Sequence, residues 1–183
     1  MLKKDGTNGS SALRRGGEVF LALGSNKGDR ALHLRNAVQS LNGNGFLVRR
    51  VSSVYETDPV GCEAGAGSFL NCVIRGSWNS SPETLLNLCQ ALERESGRDP
   101  EHPHWVSREL DIDIILFGGI VIENDLLKIP HPLAHKRAFV MIPLHDIAPN
   151  AVFPNLGLSA EELLKDLIPI SGIRLAEGIP SLL

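Results

Sequence analysis

Aromatic residues are scarce in this chain: six Phe, two Trp and one Tyr make up 5% of the sequence. A sheet that stacks RNA bases needs exposed aromatics on its central strands and a basic surface. With so few aromatics and a formal net charge of −3, no nucleic-acid partner is expected, and nothing in the charge balance draws the chain to an anionic membrane. Cysteine is nearly missing as well. Cys62, Cys72 and Cys89 are odd in number and scattered, with no C-x-x-C pair, so neither a disulfide framework nor a zinc knuckle is indicated. Cys72 and Cys89 fall within apolar patterns and are expected as small core residues, and a reducing cytoplasm is the natural compartment. No apolar run approaches the length of a membrane helix. The G-x-x-x-x-G-K-[ST] phosphate loop is absent, and Gly65-Ala66-Gly67 lacks the third glycine of a dinucleotide fingerprint. Any phosphate recognition must therefore be local and made by side chains.

What is present suits one domain with a substantial core, since 183 residues bury enough apolar surface without staples. Residues 1–17 are polar, rich in Gly and Ser, and carry basic residues but no apolar h-region. They read as a disordered tail rather than a secretory signal, which leaves a single domain over 18–183. Residues 18–23 form a short apolar strand stopped by Gly24-Ser25-Asn26, where a turn is expected. Asp29 can cap a helix in which Ala31, Leu34, Val38 and Leu41 recur at helical spacing, with Gly43 near its end. Residues 46–55 alternate as a second strand, 56–68 read as a long loop broken by Pro59, and 69–76 resume as strand. Ser81-Pro82-Glu83 opens a second helix that buries Leu85, Leu88, Cys89 and Leu92. A second loop, 97–107, leads into another strand. The order is β-α-β-β-α-β, which predicts an α+β, ferredoxin-like antiparallel sheet with helices on one face. Ile120-Val121-Ile122 is expected in an extra edge hairpin, and short C-terminal helices are expected over 137–144 and 159–167.

The most informative stretch is Arg108-Glu109-Leu110-Asp111-Ile112-Asp113-Ile114-Ile115-Leu116-Phe117-Gly118. On a strand, Leu110, Ile112, Ile114 and Leu116 would share one face and enter a core. Asp111 and Asp113 would then stand side by side on the other face, where two bare carboxylates repel unless a cation lies between them. Hard oxygen ligands on a rigid strand suit Mg²⁺, which takes one or two carboxylates and completes its shell with water and substrate phosphates. An acidic pair is also what the solvated face of a half-buried sheet looks like. Against that, Ile115 and Phe117 continue the acidic face as apolar residues. Arg98, Arg108, Lys128, His131, Lys136 and Arg137 cluster in segments around this strand and are candidates for holding phosphates, arginine being suited to bidentate contacts. Gln90 and Glu93 lie on one stripe of the second helix and could meet a nucleotide sugar or base.

Five blocks carry a resemblance: Gly24-Ser25-Asn26; Val51-Ser52-Ser53-Val54-Tyr55-Glu56-Thr57; Phe69-Leu70-Asn71; Arg108-Glu109-Leu110-Asp111-Ile112-Asp113; and Pro130-His131-Pro132 with Arg137-Ala138-Phe139. In this order and spacing the chain resembles the 6-hydroxymethyl-7,8-dihydropterin pyrophosphokinases of folate biosynthesis from about Val19 to Phe153. The resemblance implies transfer of the β,γ-pyrophosphoryl group of ATP to the hydroxymethyl oxygen of the reduced pterin, with release of AMP and the use of two Mg²⁺ ions. It implies that Asp111 and Asp113 bind both metals, and that Arg98 and Arg108 join them in catalysis as clamps on the triphosphate. ATP would be met by Gln90, Glu93, Arg98, Trp105, Arg108, Ile114, Lys128, His131 and Arg137. The pterin would be stacked between Phe69 and Phe139, read by Asn71 and lined by Thr57, Val60, Gly61 and Asp111. No obligate protein partner is implied. The chain departs from the common pattern at Asp58, at Asp99-Pro100-Glu101, at His104, at Val106-Ser107 and at Pro132. These departures leave the metal and pterin positions intact but bear on the loop clamp. A non-catalytic ferredoxin-like ligand-binding module and a simple γ-phosphoryl kinase are the alternatives.

Overall fold

Strand β1 (Gly17–Ser25) sends Val19, Leu21 and Leu23 into one core and Phe20 and Ala22 toward another, so this central strand is buried on both faces. The structure is a computed structural model that describes residues 16–59, 67–97, 108–167 and 170–183. Gly17, the last residue of the expected tail, already belongs to β1, and residues 1–15 lie outside the described residues. Gly24 and Ser25 belong to β1 as well, so the turn comes after them rather than at Gly24.

Helix α1 (Arg30–Gly43) starts where the sequence places it, with the Asp29 carboxylate accepting from Leu32 N. Strands β2 (Leu47–Val51) and β3 (Tyr55–Thr57) replace the single strand expected over 46–55. Both lie along the same side of β4 (Phe69–Trp78), and the break between them has a local cause. Ser52 N donates to Val73 O while Ser52 Oγ accepts from Val73 N, so a side chain takes over one rung of the ladder and the backbone can turn. Gly76 in β4 admits the crossing chain: a Cβ there would come within 2.7 Å of Leu47 O. Helix α2 (Pro82–Glu95) has the Ser81 cap and first-turn Pro82 read from the sequence.

Strand β5 (Asp111–Phe117) pairs antiparallel with the free side of β1. Leu110, Ile112 and Ile114 enter the first core as expected, but Leu116 does not. Phe20 pairs with Leu116 and Leu21 with Ile114, so Ile115 is a bulged residue. One extra residue inverts a period of two. Ile115 and Leu116 therefore both belong to the second core, and Phe117 returns to the first.

Strands β6 (Ile122–Glu123) and β7 (Lys128–Ile129) form the extra hairpin, but it is a separate two-stranded sheet with β7 against β5, not an addition to the main sheet. A 3₁₀ turn (Ala134–Lys136) leads into α3 (Ala138–Ile147), which includes Pro143. Strands β8 (Val152–Phe153) and β9 (Leu158–Ser159) pair with each other, and α4 (Ala160–Lys165) begins with a Ser159/Glu162 capping box. The short β10 (Ile173–Leu175) pairs with β3.

The main sheet runs β10-β3-β4-β1-β5, with β2 also on β4, and every strand pair among the described residues is antiparallel. Residues of α1 and α2 cover the first core, whereas Val140, Met141, Leu144 and Ile147 of α3 and Leu163 of α4 cover the second. Helices thus lie on both faces, not one, because the apolar residues of β1, β4 and β5 demand cover on both. Cys72 and Cys89 are buried, and desolvation pushes both thiols up to about 12, so they are inert core residues. Among the described residues no helix is long and apolar enough to cross a membrane.

Candidate active site

Residues directly opposite each other in an antiparallel pair share a face. Asp111 is opposite Gly24, Gly24 is opposite Asn71, and Asn71 is opposite Tyr55, so one row crosses four strands on the α3 face of the sheet. Asp113 stands beside Asp111 on the same face, opposite Ala22. Phe69 and Thr57 pair one step beyond Asn71 and Tyr55. The acidic pair and the residues expected around a pterin are therefore brought onto one surface, although 40 residues of sequence separate Asn71 from Asp111.

At the β5 end the groups are charged and partly open. The Asp111 and Asp113 side chains retain 33% and 35% of their accessible surface. Arg108 Nη1 donates to Asp111 Oδ1 at 2.7 Å. The backbone of Arg108 is clasped by Asn26, whose Oδ1 accepts from Arg108 N at 2.6 Å while Asn26 N donates to Arg108 O at 3.0 Å. This buried asparagine fixes the approach to β5, a role that neither its turn position nor its place in a family block announced. His131 N donates to the carbonyl of the bulged Ile115, and His131 Nε2 lies 3.9 Å from Asp113 Oδ2. Its Nδ1 accepts from Leu133 N, which leaves the proton on Nε2, facing the carboxylate. Burial, followed by the Arg137 charge, holds the imidazole down to about 4, with Asp111 opposing, so it is neutral at pH 7.

The outer edge of β5 is partly sealed. Glu93 is 4% exposed, and its Oε1 accepts from Ile112 N at 2.8 Å. Gln90, one turn earlier on α2, is half-buried. The Ile114 side chain lies in the first core, so what it can offer a ligand is main chain, which strand geometry turns to the same edge as that of Ile112. Lys128 is exposed on β7. Arg137 stacks on Phe139 with Cζ 5.6 Å from the ring centroid, which joins an expected nucleotide contact to an expected pterin contact.

At the β3–β4 end Thr57 and Asn71 are neutral and enclosed. Thr57 and Asn71 are each 6% exposed, and Asn71 Nδ2 donates to Thr57 Oγ1 at 2.8 Å. This orients the amide so that its oxygen remains as an acceptor. A Cβ at Gly24 would lie 3.1 Å from Asn71 Oδ1 and 4.0 Å from Phe69 Cδ1, so the missing side chain leaves a shallow gap between Asp111 and Asn71. Gly24 is thus part of the site by what it omits. Phe69 and Phe139 are half-buried on β4 and α3. Tyr55 OH donates to Asp146 of α3 at 2.9 Å; burial and then this carboxylate push the phenol up to about 12, so the link stays protonated. Val60, Gly61, Arg98 and Trp105 lie outside the described residues, as do the departures at 99–101, His104, Val106 and Ser107.

A family model described as 7,8-dihydro-6-hydroxymethylpterin-pyrophosphokinase matches residues 20–149. Among curated relatives, the 2-amino-4-hydroxy-6-hydroxymethyldihydropteridine pyrophosphokinase of Aquifex aeolicus is 42% identical over 137 residues, covering 74% of this chain and 83% of that one. The enzyme of the same name from Bacillus subtilis is 45% identical over 130 residues, covering 70% and 77%. A solved HPPK-DHPS structure in complex with substrates superposes with a TM-score of 0.70 at 13% identity, and wild-type Plasmodium falciparum HPPK-DHPS with pterin and p-hydroxybenzoate superposes at 0.66 and 15%. These two matches cover 85% and 90% of this chain but only 44% and 47% of the solved chains, and at such identity they speak to the fold.

Proposed function

The chain belongs to the 7,8-dihydro-6-hydroxymethylpterin pyrophosphokinase family, and from that premise we propose how its residues divide the work. The reaction is ATP-dependent and belongs to folate synthesis: the β,γ-pyrophosphoryl group passes to the hydroxymethyl oxygen of 6-hydroxymethyl-7,8-dihydropterin and AMP leaves. What supports the division is the row Asp111–Gly24–Asn71, which sets a charged end and a neutral end on one surface of the sheet.

The pterin lies over Gly24 between Phe69 and Phe139, in the offset stacking that flat heterocycles prefer. Asn71 Oδ1, already oriented by Thr57, accepts from the ring edge, and Val60 and Gly61 complete the lining. Asp111 closes this pocket on the side of the hydroxymethyl group. Asp111 and Asp113 are the residues that would hold two Mg²⁺ ions. The donor set fits: two carboxylates on a rigid strand, a third exposed, leave positions for water and phosphate oxygens. When bound, such a pair of ions screens phosphate charge and stabilises the entering and leaving oxygens of an in-line displacement. Arg108 orients Asp111 and lends its guanidinium to the triphosphate. His131 donates from Nε2 without adding charge, Lys128 approaches from the β6–β7 hairpin and Arg137 from the start of α3. Gln90, Ile114 and Trp105 receive the nucleoside, while the Glu93 carboxylate anchors the β5 edge they use. Arg98 completes the clamp, and excluding water there keeps transfer from becoming hydrolysis.

We read residues 18–183 as one catalytic domain on a ferredoxin-like sheet, working in the cytoplasm without an obligate protein partner. The test is product analysis with ATP, Mg²⁺ and the reduced pterin. Pterin-dependent AMP without ADP is expected. ADP would identify a simple kinase, and an absence of any pterin-dependent nucleotide product would remove the reading.

A further inference from the structure

Beneath the neutral end of the site, on the opposite face of the sheet, lies an ion-pair network that the reaction itself does not use. Glu56 precedes Thr57 in β3, and Ser68 precedes Phe69 in β4. The Glu56 side chain is 22% exposed, and its two oxygens are held from opposite directions. On one side, Arg30 Nη1, from the first residue of α1, reaches Glu56 Oε1 at 3.0 Å, Ser68 O at 2.7 Å and Ser68 Oγ at 2.8 Å. Ser68 Oγ in turn donates to Glu56 Oε1 at 2.6 Å. On the other side, Arg174 Nη2 of β10 donates to Glu56 Oε2 at 2.7 Å. Hydrogen bonds from Ser68 and Arg30, and then Arg174, hold the Glu56 carboxyl down to about 2.

The backbone repeats the pattern. Ile173 is opposite Thr57, Arg174 is opposite Glu56, and Asp58 N donates to Gly172 O at 2.9 Å. The C-terminal strand therefore grips β3 at the three positions that bracket Thr57. On the other flank Thr57 is opposite Phe69. A pocket formed by Thr57, Asn71 and Phe69 depends on the height and register of that pair, and two unlinked strand ends could slip against each other. Charge-assisted hydrogen bonds on a partly shielded carboxylate are the stronger kind and are directional.

We propose that Glu56 is a positioning residue for the pterin: bridging Arg30 and Arg174, it fixes the Thr57–Phe69 pair and makes β10 part of the substrate site. The inference rests on reading Thr57 and Phe69 as pterin contacts. It assigns no role to the network in ATP binding, because the Glu56 carboxylate lies on the face opposite Asp111 and Asp113, and β3 is three strands away from β5 along the sheet path.

The test is steady-state kinetics of the full chain with Mg²⁺, varying pterin and ATP separately, for Glu56→Ala, Glu56→Gln, Arg174→Met and Arg174→Lys. Glu56→Ala is expected to raise the pterin KM about tenfold, with Glu56→Gln between it and the unaltered protein, while the ATP KM and kcat at saturating pterin stay within about twofold. Arg174→Met is expected to raise the pterin KM about threefold and Arg174→Lys to restore it. Should Glu56→Ala fail to fold, the Arg174 pair decides, since that side chain is 57% exposed. A drop in melting temperature with both KM values unchanged would reduce the network to a structural brace and overturn the inference. So would an equal rise in both KM values. If the unaltered protein shows no pterin-dependent turnover, the functional reading and the inference fall together; if it turns over and the series is flat, only the inference falls.

Discussion

The two ends of the Asp111–Gly24–Asn71 row differ in charge and in exposure. At β5, Asp111 and Asp113 keep about a third of their surface open, with Arg108 and His131 close by. At β3–β4, Thr57 and Asn71 are almost fully enclosed and satisfy one another. A buried pair of carboxylates would suffer a large desolvation penalty, so on the proposed reading charge that is to meet ions and phosphates stays accessible to water until the ligand arrives. A neutral amide can be buried at little cost once it is hydrogen-bonded, and burial then makes it directional. One end is built for charge and the other for shape, and Gly24 leaves the space where they meet.

That contrast makes distinct demands on mutants. The largest effect is expected at the charged end. Asp111→Ala and Asp113→Ala should each abolish turnover while far-ultraviolet circular dichroism is unchanged; activity within about tenfold of the unaltered protein in either would remove the two-metal reading. Arg108→Ala should follow, with kcat down roughly 10²–10³-fold, as for loss of a preorganised charge. The neutral end should respond in affinity. Asn71→Ala leaves Thr57 Oγ1 without its partner and removes the ring-edge acceptor, so the pterin KM should rise about 10–100-fold with the ATP KM unmoved. If instead the ATP constant moved with it, the two ends would not be separate.

Gly24→Ala probes the junction. Its Cβ would come 3.1 Å from Asn71 Oδ1 on a backbone that tolerates alanine, so a several-fold rise in pterin KM with intact stability is expected, read by kinetics and thermal melting together. The smallest effect is on acid stability. Because Glu56 titrates at about 2 in the folded chain and 4.5 otherwise, its contribution is full above pH 4.5 and fades as pH falls toward 2. The stability difference between the unaltered protein and Glu56→Gln, measured by urea unfolding, should shrink across that window. A difference that grew on acidification would contradict the assigned pairing.

Much of this was legible from the chain alone because the signals are local. Asp29 and Ser81 cap the helices they precede, as read, and a cap needs only a side chain and the next turn. The side-by-side Asp111 and Asp113 follow from strand geometry, and the family blocks marked Thr57, Phe69, Asn71 and Phe139. Less legible were features that depend on a partner strand. Leu116 was placed on the wrong face because nothing in its own neighbourhood announces a bulge at Ile115, which becomes visible only in the register with β1. The second strand divides because Ser52 meets Val73. Asn26 and Gly24 looked like turn residues, yet one clasps Arg108 across the sheet and the other is defined by the neighbours it spares.

Sequence therefore settled the periodicities: which residues could be helix, strand or cap, and that two carboxylates would stand together on one strand. Those outcomes follow from sterics and hydrogen bonding within a few residues. Tertiary structure settled the phases: which strand lies beside which, where the count slips by one, and that the 173–175 segment closes the edge beside Thr57. A strand's two faces differ by a single residue, so only the register of distant partners decides which side chains meet.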